Sequence, residues 1–169
     1  SNFLVTVRHG SSISYADVRS RCESTPSLLR KGQGFALYAV MDSIVDQYFP
    51  VIETLVEELQ RIEDKVFKEK PTRETTEDIY QLKRQLLDLK HVISPFIDIC
   101  NRLMRFDIKL ISEETQPYFR AIYDHIIRIN EMVDSTGELL NKALEANFYL
   151  IQIAQVETSQ QFAGWAHIL

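Results

Sequence analysis

The chain has 169 residues, of which 25% are charged and 45% hydrophobic, and its formal net charge is -5. This composition is typical of a folded chain rather than a disordered one, and it lacks the basic surplus that binding to a nucleic-acid backbone requires. The two cysteines, Cys22 and Cys100, lie far apart in the sequence and are interpreted as reduced thiols.

The first 32 residues contain only short predicted elements. Residues 3–7 have the pattern of a β-strand, and residues 15–23 and 27–31 are predicted to form two short helices, the second of which stops at Gly32. Because a lone strand is not stable in water, we expect its partner strands to precede residue 1.

The next segment repeats apolar residues at alternating steps of three and four, which is the pattern of a coiled-coil helix. The repeat comprises Tyr38, Met41, Val45, Tyr48, Ile52, Leu55, Leu59, Ile62 and Val66. It predicts one helix over residues 34–68. Since the repeat keeps its phase across Pro50, we expect this proline to bend the helix without ending it.

A second repeat of the same kind follows a strong turn signal at residues 70–73. Its members are Ile79, Leu82, Leu86, Leu89, Ile93, Phe96, Cys100 and Leu103. The two repeats therefore predict an antiparallel helical hairpin. Pro95 is expected to bend the second arm, and residues 107–110 are expected to end it.

A third repeat begins after Ser112, which is predicted to cap the helix, with Glu113 and Glu114 in its first turn. It comprises Phe119, Ile122, Ile126, Ile129, Val133, Thr136 and Leu140. Beyond Leu140 we expect the repeat to change phase to Leu144, Phe148 and Ile151, a stutter that loosens the supercoil. A helix that continued unbroken to Leu169 would be roughly 85 Å long.

The last part of the chain is polar over residues 152–161 and apolar over residues 162–169. This apolar run is much shorter than the roughly 20 residues that a membrane-spanning helix needs. Trp165 at its start suits either a water–lipid boundary or a packed helix end.

Three runs of sequence, residues 38–50, 81–84 and 117–125, resemble the CorA family of divalent-cation channels in order and spacing. The resemblance implies a mainly α fold: a long antiparallel helical hairpin and a very long stalk helix, with a residual strand and short helices from a truncated α/β domain. It divides the chain into the end of that domain (1–32), the hairpin (33–110) and the stalk (111–169), which ends at the start of the first transmembrane segment.

The same resemblance implies a function in ion transport rather than in enzyme catalysis. A CorA-like protein is expected to carry Mg²⁺, with Co²⁺ and Ni²⁺ as further candidates, across the inner membrane as a homopentamer. Mg²⁺ is expected as the transported and regulatory ion, without an organic cofactor or a nucleic-acid partner. This chain would lie on the cytoplasmic side, joined to the membrane by segments beyond it. A zinc-transporting relative and a membrane-docked coiled-coil scaffold remain alternatives.

The resemblance also implies roles for individual residues. Glu145 falls on the stalk position at which the family holds a regulatory metal ion between subunits, and Ser159 and Phe162 fall on pore-axis positions near the membrane. Ala121 stands where a carboxylate is common, which puts a second ion site in doubt. From the sequence, His125 has no second His or Cys at metal-ligand spacing, so no metal site is predicted around it.

Overall fold

A computed structural model describes residues 3–7, 14–105, 108 and 111–166 of the chain. Long α-helices dominate it, which confirms the mainly α prediction. The predicted residual strand is wrong for the described residues, since residues 3–7 are irregular and exposed. No strand in the described ranges pairs with them, and a single strand leaves its backbone groups without hydrogen-bond partners.

Three helices open the fold: α1 (Ala16–Glu23), α2 (Pro26–Leu29) and α3 (Gln33–Asp46). They enclose a small apolar core whose buried members are Val18, Cys22, Phe35 and Ala39. Gly32 links α2 to α3 with a φ of 92°, a backbone conformation that side chains with a Cβ rarely adopt. The chain turns into α3 at this residue because glycine tolerates that conformation.

The predicted single helix over residues 34–68 is in fact two helices, because α4 (Tyr48–Lys68) begins after a break at Gln47. Pro50 explains the position of the break. It has no N–H to donate to the Asp46 carbonyl, and its ring would clash with that carbonyl in a continuous helix. As the third residue of α4, however, Pro50 lies in a first turn, where no such donor is needed.

The hairpin turn lies where the sequence predicts it, between the end of α4 and the start of α5 (Arg73–Met104). The Thr72 side-chain oxygen accepts a hydrogen bond from the Thr75 N–H at 3.2 Å and thus caps α5. Lys65 of α4 and Asp78 of α5 form an ion pair across the hairpin at 2.7 Å. Helix α5 continues through Pro95. The predicted break at 107–110 falls largely outside the described residues.

The third long helix, α6 (Gln116–Ala166), is a single element of 51 residues. Ser112 does not cap it, contrary to the prediction: a short 3-10 turn (Glu113–Thr115) comes first, and the Ser112 side chain makes no capping hydrogen bond. Pro117, the second residue of α6, is the physical reason. It cannot donate to the Glu113 carbonyl, so the α-helical pattern cannot extend further towards the N-terminus.

Most of the predicted apolar positions are buried in the structure, and the third repeat is fully buried from Phe119 to Leu140. The predicted stutter beyond Leu140 is wrong. The buried residues that follow are Ala143 and Asn147, which preserve the alternating steps of three and four, whereas Phe148 is 44% exposed. Small side chains thus occupy the buried stripe of α6 at this level, and larger apolar side chains lie outside it.

By its contacts the chain divides into two compact units, one of Ser1–Val51 with His91–Glu131 and the other of Ile52–Lys90 with Met132–Leu169. Polar contacts join α5 to α6 within the second unit: Lys90 pairs with Asp134, and Lys83 donates to Asn141 at 3.2 Å. The three domains predicted from the sequence stay a prediction. Within the described ranges, no helix combines the length and apolar character needed to cross a membrane.

Candidate metal centre

Three side chains of the first unit, Asp42, Asp46 and His125, form a cluster that can hold a metal ion. One oxygen from each carboxylate and one imidazole nitrogen all lie within 4.8 Å of one another. Asp42 and Asp46 are four residues apart on α3, so both project from one face of that helix. His125 approaches from α6, one turn after Ala121.

Asp42 is the most enclosed of the three, with only 13% of its side chain exposed. The Arg21 guanidinium of α1 donates to its Oδ2 at 3.1 Å, and the Tyr38 hydroxyl lies near enough to feel the carboxylate charge. Burial, and then the negative charge of Asp42, raise the pKa of the Tyr38 hydroxyl. The Arg21 guanidinium therefore holds the Asp42 carboxylate beside the other two ligands.

Asp46 and His125 form the open side of the cluster, since both are exposed. Asp46 is the last residue of α3, where the helix dipole is negative and a second negative charge is unfavourable. The His125 ring packs edge-on against Phe49, with 5.8 Å between ring centroids. Arg128, one turn further along α6, lies over the same Phe49 ring. Phe49 therefore restricts the orientation of the imidazole.

The cluster offers two hard oxygen donors and one borderline nitrogen donor. Two carboxylates this close repel each other by about 1 kcal/mol at 4 Å in water, and more where water is excluded. A divalent cation reverses the sign of that interaction. Mg²⁺ accepts one or two carboxylates with water in its remaining positions, whereas an imidazole ligand favours Co²⁺, Ni²⁺ or Zn²⁺.

The residues assigned from the family resemblance lie elsewhere on α6. Glu145 is exposed, and among the described residues no cluster of three metal-ligating side chains includes it. Ser159 and Phe162 are also exposed and border one shallow depression, together with Pro71 at the hairpin turn. The Ser159 hydroxyl donates to the Gln155 carbonyl at 2.9 Å. The roles predicted for Glu145, Ser159 and Phe162 stay predictions.

Sequence reasoning missed the Asp42, Asp46 and His125 cluster because it searched for ligands along single helices. The spacing of Asp42 and Asp46 was a usable signal, since it places two carboxylates one turn apart near a helix end. The third ligand follows 79 positions later in the sequence. No local spacing links His125 to α3, so only the packing of α3 against α6 reveals the site.

Comparison with known proteins places these features in a family. The sequence model described as CorA-like Mg²⁺ transporter protein matches residues 1–169. The cobalt/magnesium transport protein CorA of Thermotoga maritima is 35% identical over 129 residues, which are 76% of this chain and 36% of that protein. The putative metal ion transporter YfjQ of Bacillus subtilis is 32% identical over 81% of this chain and 43% of its own length. The chain thus spans less than half of either relative.

Solved structures agree on the fold. The soluble domain of CorA from Methanocaldococcus jannaschii superposes with a TM-score of 0.67 at 22% identity, covering 79% of this chain and 56% of that one. The complete structure of the CorA magnesium transporter from the same organism gives a TM-score of 0.72 at 21% identity, covering 87% of this chain and 48% of that one. Because the family model matches residues 1–169 of the chain, the chain belongs to the CorA-like Mg²⁺ transporter family.

Proposed function

We propose that this chain is the cytoplasmic regulatory part of a protein that transports Mg²⁺ across the inner membrane, with Co²⁺ and Ni²⁺ as further substrates. Family membership and the names of the two bacterial relatives support cation transport. The observation that carries a regulatory role is the cluster of Asp42, Asp46 and His125, whose ligand atoms converge within 4.8 Å. Binding of a divalent cation there reports its concentration in the cytoplasm.

Electrostatics supports the regulatory role. Without a cation, the charges of Asp42 and Asp46 repel each other and Asp46 also opposes the dipole of α3. When a cation is bound, Asp42 and Asp46 of α3 and His125 of α6 bind the same ion, which holds the two helices together. A ligand shifts a conformational equilibrium only by its difference in affinity for the two states, and a cluster that joins two helices supplies such a difference.

Glu145, Ser159 and Phe162 complete the proposal at the level of the intact homopentamer. The exposed Glu145 carboxylate is proposed to share a regulatory Mg²⁺ with a neighbouring subunit. Ser159 and Phe162, three residues apart on α6, are proposed to face the pore axis, where the apolar Phe162 ring would narrow the path of the ion. Phe162 is 72% exposed in this chain and is therefore available for such a contact.

Calorimetric titration of the 169-residue chain with MgCl₂ and with CoCl₂ tests the cluster. We expect a single site for each ion, which Asp42→Asn and Asp46→Asn weaken at least tenfold. Asp124→Asn is the matched control, since it removes one carboxylate from an exposed position next to His125 in the sequence. Equal losses in Asp124→Asn and Asp42→Asn, or no binding by the wild-type chain, would refute the site.

His125 separates the ions from one another. Because Mg²⁺ prefers oxygen ligands, His125→Gln should weaken Co²⁺ binding far more than Mg²⁺ binding. His91→Gln, at another exposed histidine, is the control. The imidazole also favours Zn²⁺, so zinc transport is the second candidate function. Flux of Mg²⁺, Co²⁺, Ni²⁺ and Zn²⁺ through the complete gene product, at varied internal Mg²⁺, distinguishes the two, and flux indifferent to internal Mg²⁺ would refute regulation.

A further inference from the structure

The Asp42 carboxylate belongs to two sets of contacts at once. It is a ligand of the candidate metal centre, and it accepts a hydrogen bond from Arg21 of α1 at 3.1 Å. The same Arg21 nitrogen lies 3.5 Å from the Ala39 carbonyl oxygen on α3. A protein cation therefore already holds the carboxylate that an incoming metal cation requires.

Arg21 is free to leave this position because 52% of its side chain is exposed, whereas Asp42 is only 13% exposed. The two ends of the pair thus differ: the carboxylate is held by its surroundings, and the guanidinium reaches it from the solvent side. A displaced guanidinium regains its full hydration, which offsets part of the energy lost with the ion pair.

The pair also contributes to the position of α1. Apolar contacts of Val18 and Cys22 with Phe35 and Ala39 join α1 to α3, and the Arg21–Asp42 ion pair is the charged contact beside them. Helix α1 has only eight residues, too few to be stable without such contacts. Arg21 therefore connects Asp42 of the candidate metal centre to α1.

We propose that Arg21 is a built-in competitor for the divalent cation, so that occupation of the Asp42, Asp46 and His125 cluster releases Arg21 and loosens α1. This inference rests on the proposed metal centre and adds its coupling to a neighbouring helix. The coupling is reciprocal: the factor by which Arg21 weakens cation binding equals the factor by which the bound cation weakens the Arg21–Asp42 pair.

Removal of the competitor gives the first test. Arg21→Gln should tighten Co²⁺ binding by roughly three- to tenfold, the range expected for deleting one positive charge beside a divalent ion in a partly solvated site. Arg19→Gln is the matched control, because it removes an equal charge from the same helix, where Arg19 pairs with Glu23 instead. Arg21→Lys keeps the charge and should stay close to the wild-type affinity.

Hydrogen exchange gives the second test, one that a general charge effect does not move. Addition of Co²⁺ should speed amide exchange over Ala16–Glu23 in the wild-type chain, whereas Arg21→Gln should exchange quickly with or without Co²⁺. Circular dichroism verifies that each variant keeps its helical content.

The outcomes separate the two proposals. If the wild-type chain binds Co²⁺ and Arg21→Gln binds it equally or more weakly, the competition is refuted and the metal centre stands. If Arg19→Gln tightens binding as much as Arg21→Gln, a general charge effect replaces the competition. If neither the wild-type chain nor Arg21→Gln binds Co²⁺, the metal centre fails and the competition with it.

Discussion

Two adjacent leucines on α6 provide a direct test of which face of this helix is buried. Leu140 is 1% exposed and Leu139 is 44% exposed. Truncation of a fully buried leucine to alanine costs about 2–5 kcal/mol, from lost burial and from the cavity left behind. Leu140→Ala should therefore lower the free energy of unfolding by about 3 kcal/mol, and Leu139→Ala by about 1 kcal/mol or less.

Urea unfolding followed by circular dichroism measures this difference. With a denaturant slope of about 2 kcal/mol per molar urea, Leu140→Ala should move the midpoint down by about 1.5 M, and Leu139→Ala by less than about 0.5 M. The pair is well controlled because both changes have the same effect on helix propensity. Midpoint shifts of equal size in the two variants would mean that the buried face of α6 is assigned wrongly.

Three further predictions concern backbone conformation, thiol ionisation and a buried amide. Gly32→Ala should lower the free energy of unfolding by about 1–3 kcal/mol because of the φ of 92° at this position. Gly137→Ala, in a helix with open space around it, should raise the free energy of unfolding by about 0.5–1 kcal/mol. Thermal melts in which Gly32→Ala is the more stable variant would refute the assignment. Burial raises the pKa of Cys100 to about 11, so the folded state keeps the thiol protonated at a pH near 8.5–9, where the thiol of the unfolded state ionises. The stability of the wild-type chain relative to Cys100→Ala should therefore fall between about pH 8.5 and 11. Parallel pH profiles of stability for the two proteins would argue against this burial. Asn147 donates to the Thr76 hydroxyl at 2.8 Å, so Thr76→Val should leave a buried donor without an acceptor and lower the free energy of unfolding by about 1–3 kcal/mol. A second change, Asn147→Val, should restore most of that stability. Strictly additive losses of the two changes in urea unfolding would disprove this.

The periodic parts of the fold are predictable from the sequence because helix geometry alone dictates them. The three repeats identify residues that the structure buries, and the turn signal at residues 70–73 marks the hairpin. Hydropathy misleads beyond Leu140, where it favours Leu144 and Phe148. The structure keeps the helical spacing instead and buries Ala143 and Asn147, because the position of a residue around the helix axis, not its hydropathy, decides what it contacts.

The candidate site was predictable only in part. Asp42 and Asp46 are recognisable as a pair on one helix face, but Arg21 and His125 come from helices whose packing against α3 no local pattern encodes. Pro50 shows a related limit. The repeat stays in phase across it, yet the missing N–H divides the helix at Gln47 and leaves Asp46 at a helix end. Phase reports which face is buried, and backbone hydrogen bonding decides where a helix ends.

The final turns of α6 behave differently from the rest of that helix. Every residue from Gln152 to Trp165 is exposed, so no side chain of this helical stretch is fully buried. Its backbone hydrogen bonds are supplemented by bonds from the Thr158 and Ser159 hydroxyls to carbonyl oxygens one turn earlier. A helical stretch of this length lies near the limit at which an isolated helix survives in water. This stretch can therefore melt and reform, turn by turn, without disturbing the packed helices. A partner that binds this stretch in its helical form must supply the conformational entropy lost when the stretch is ordered. The affinity of that contact therefore depends on how stable the helix is before binding.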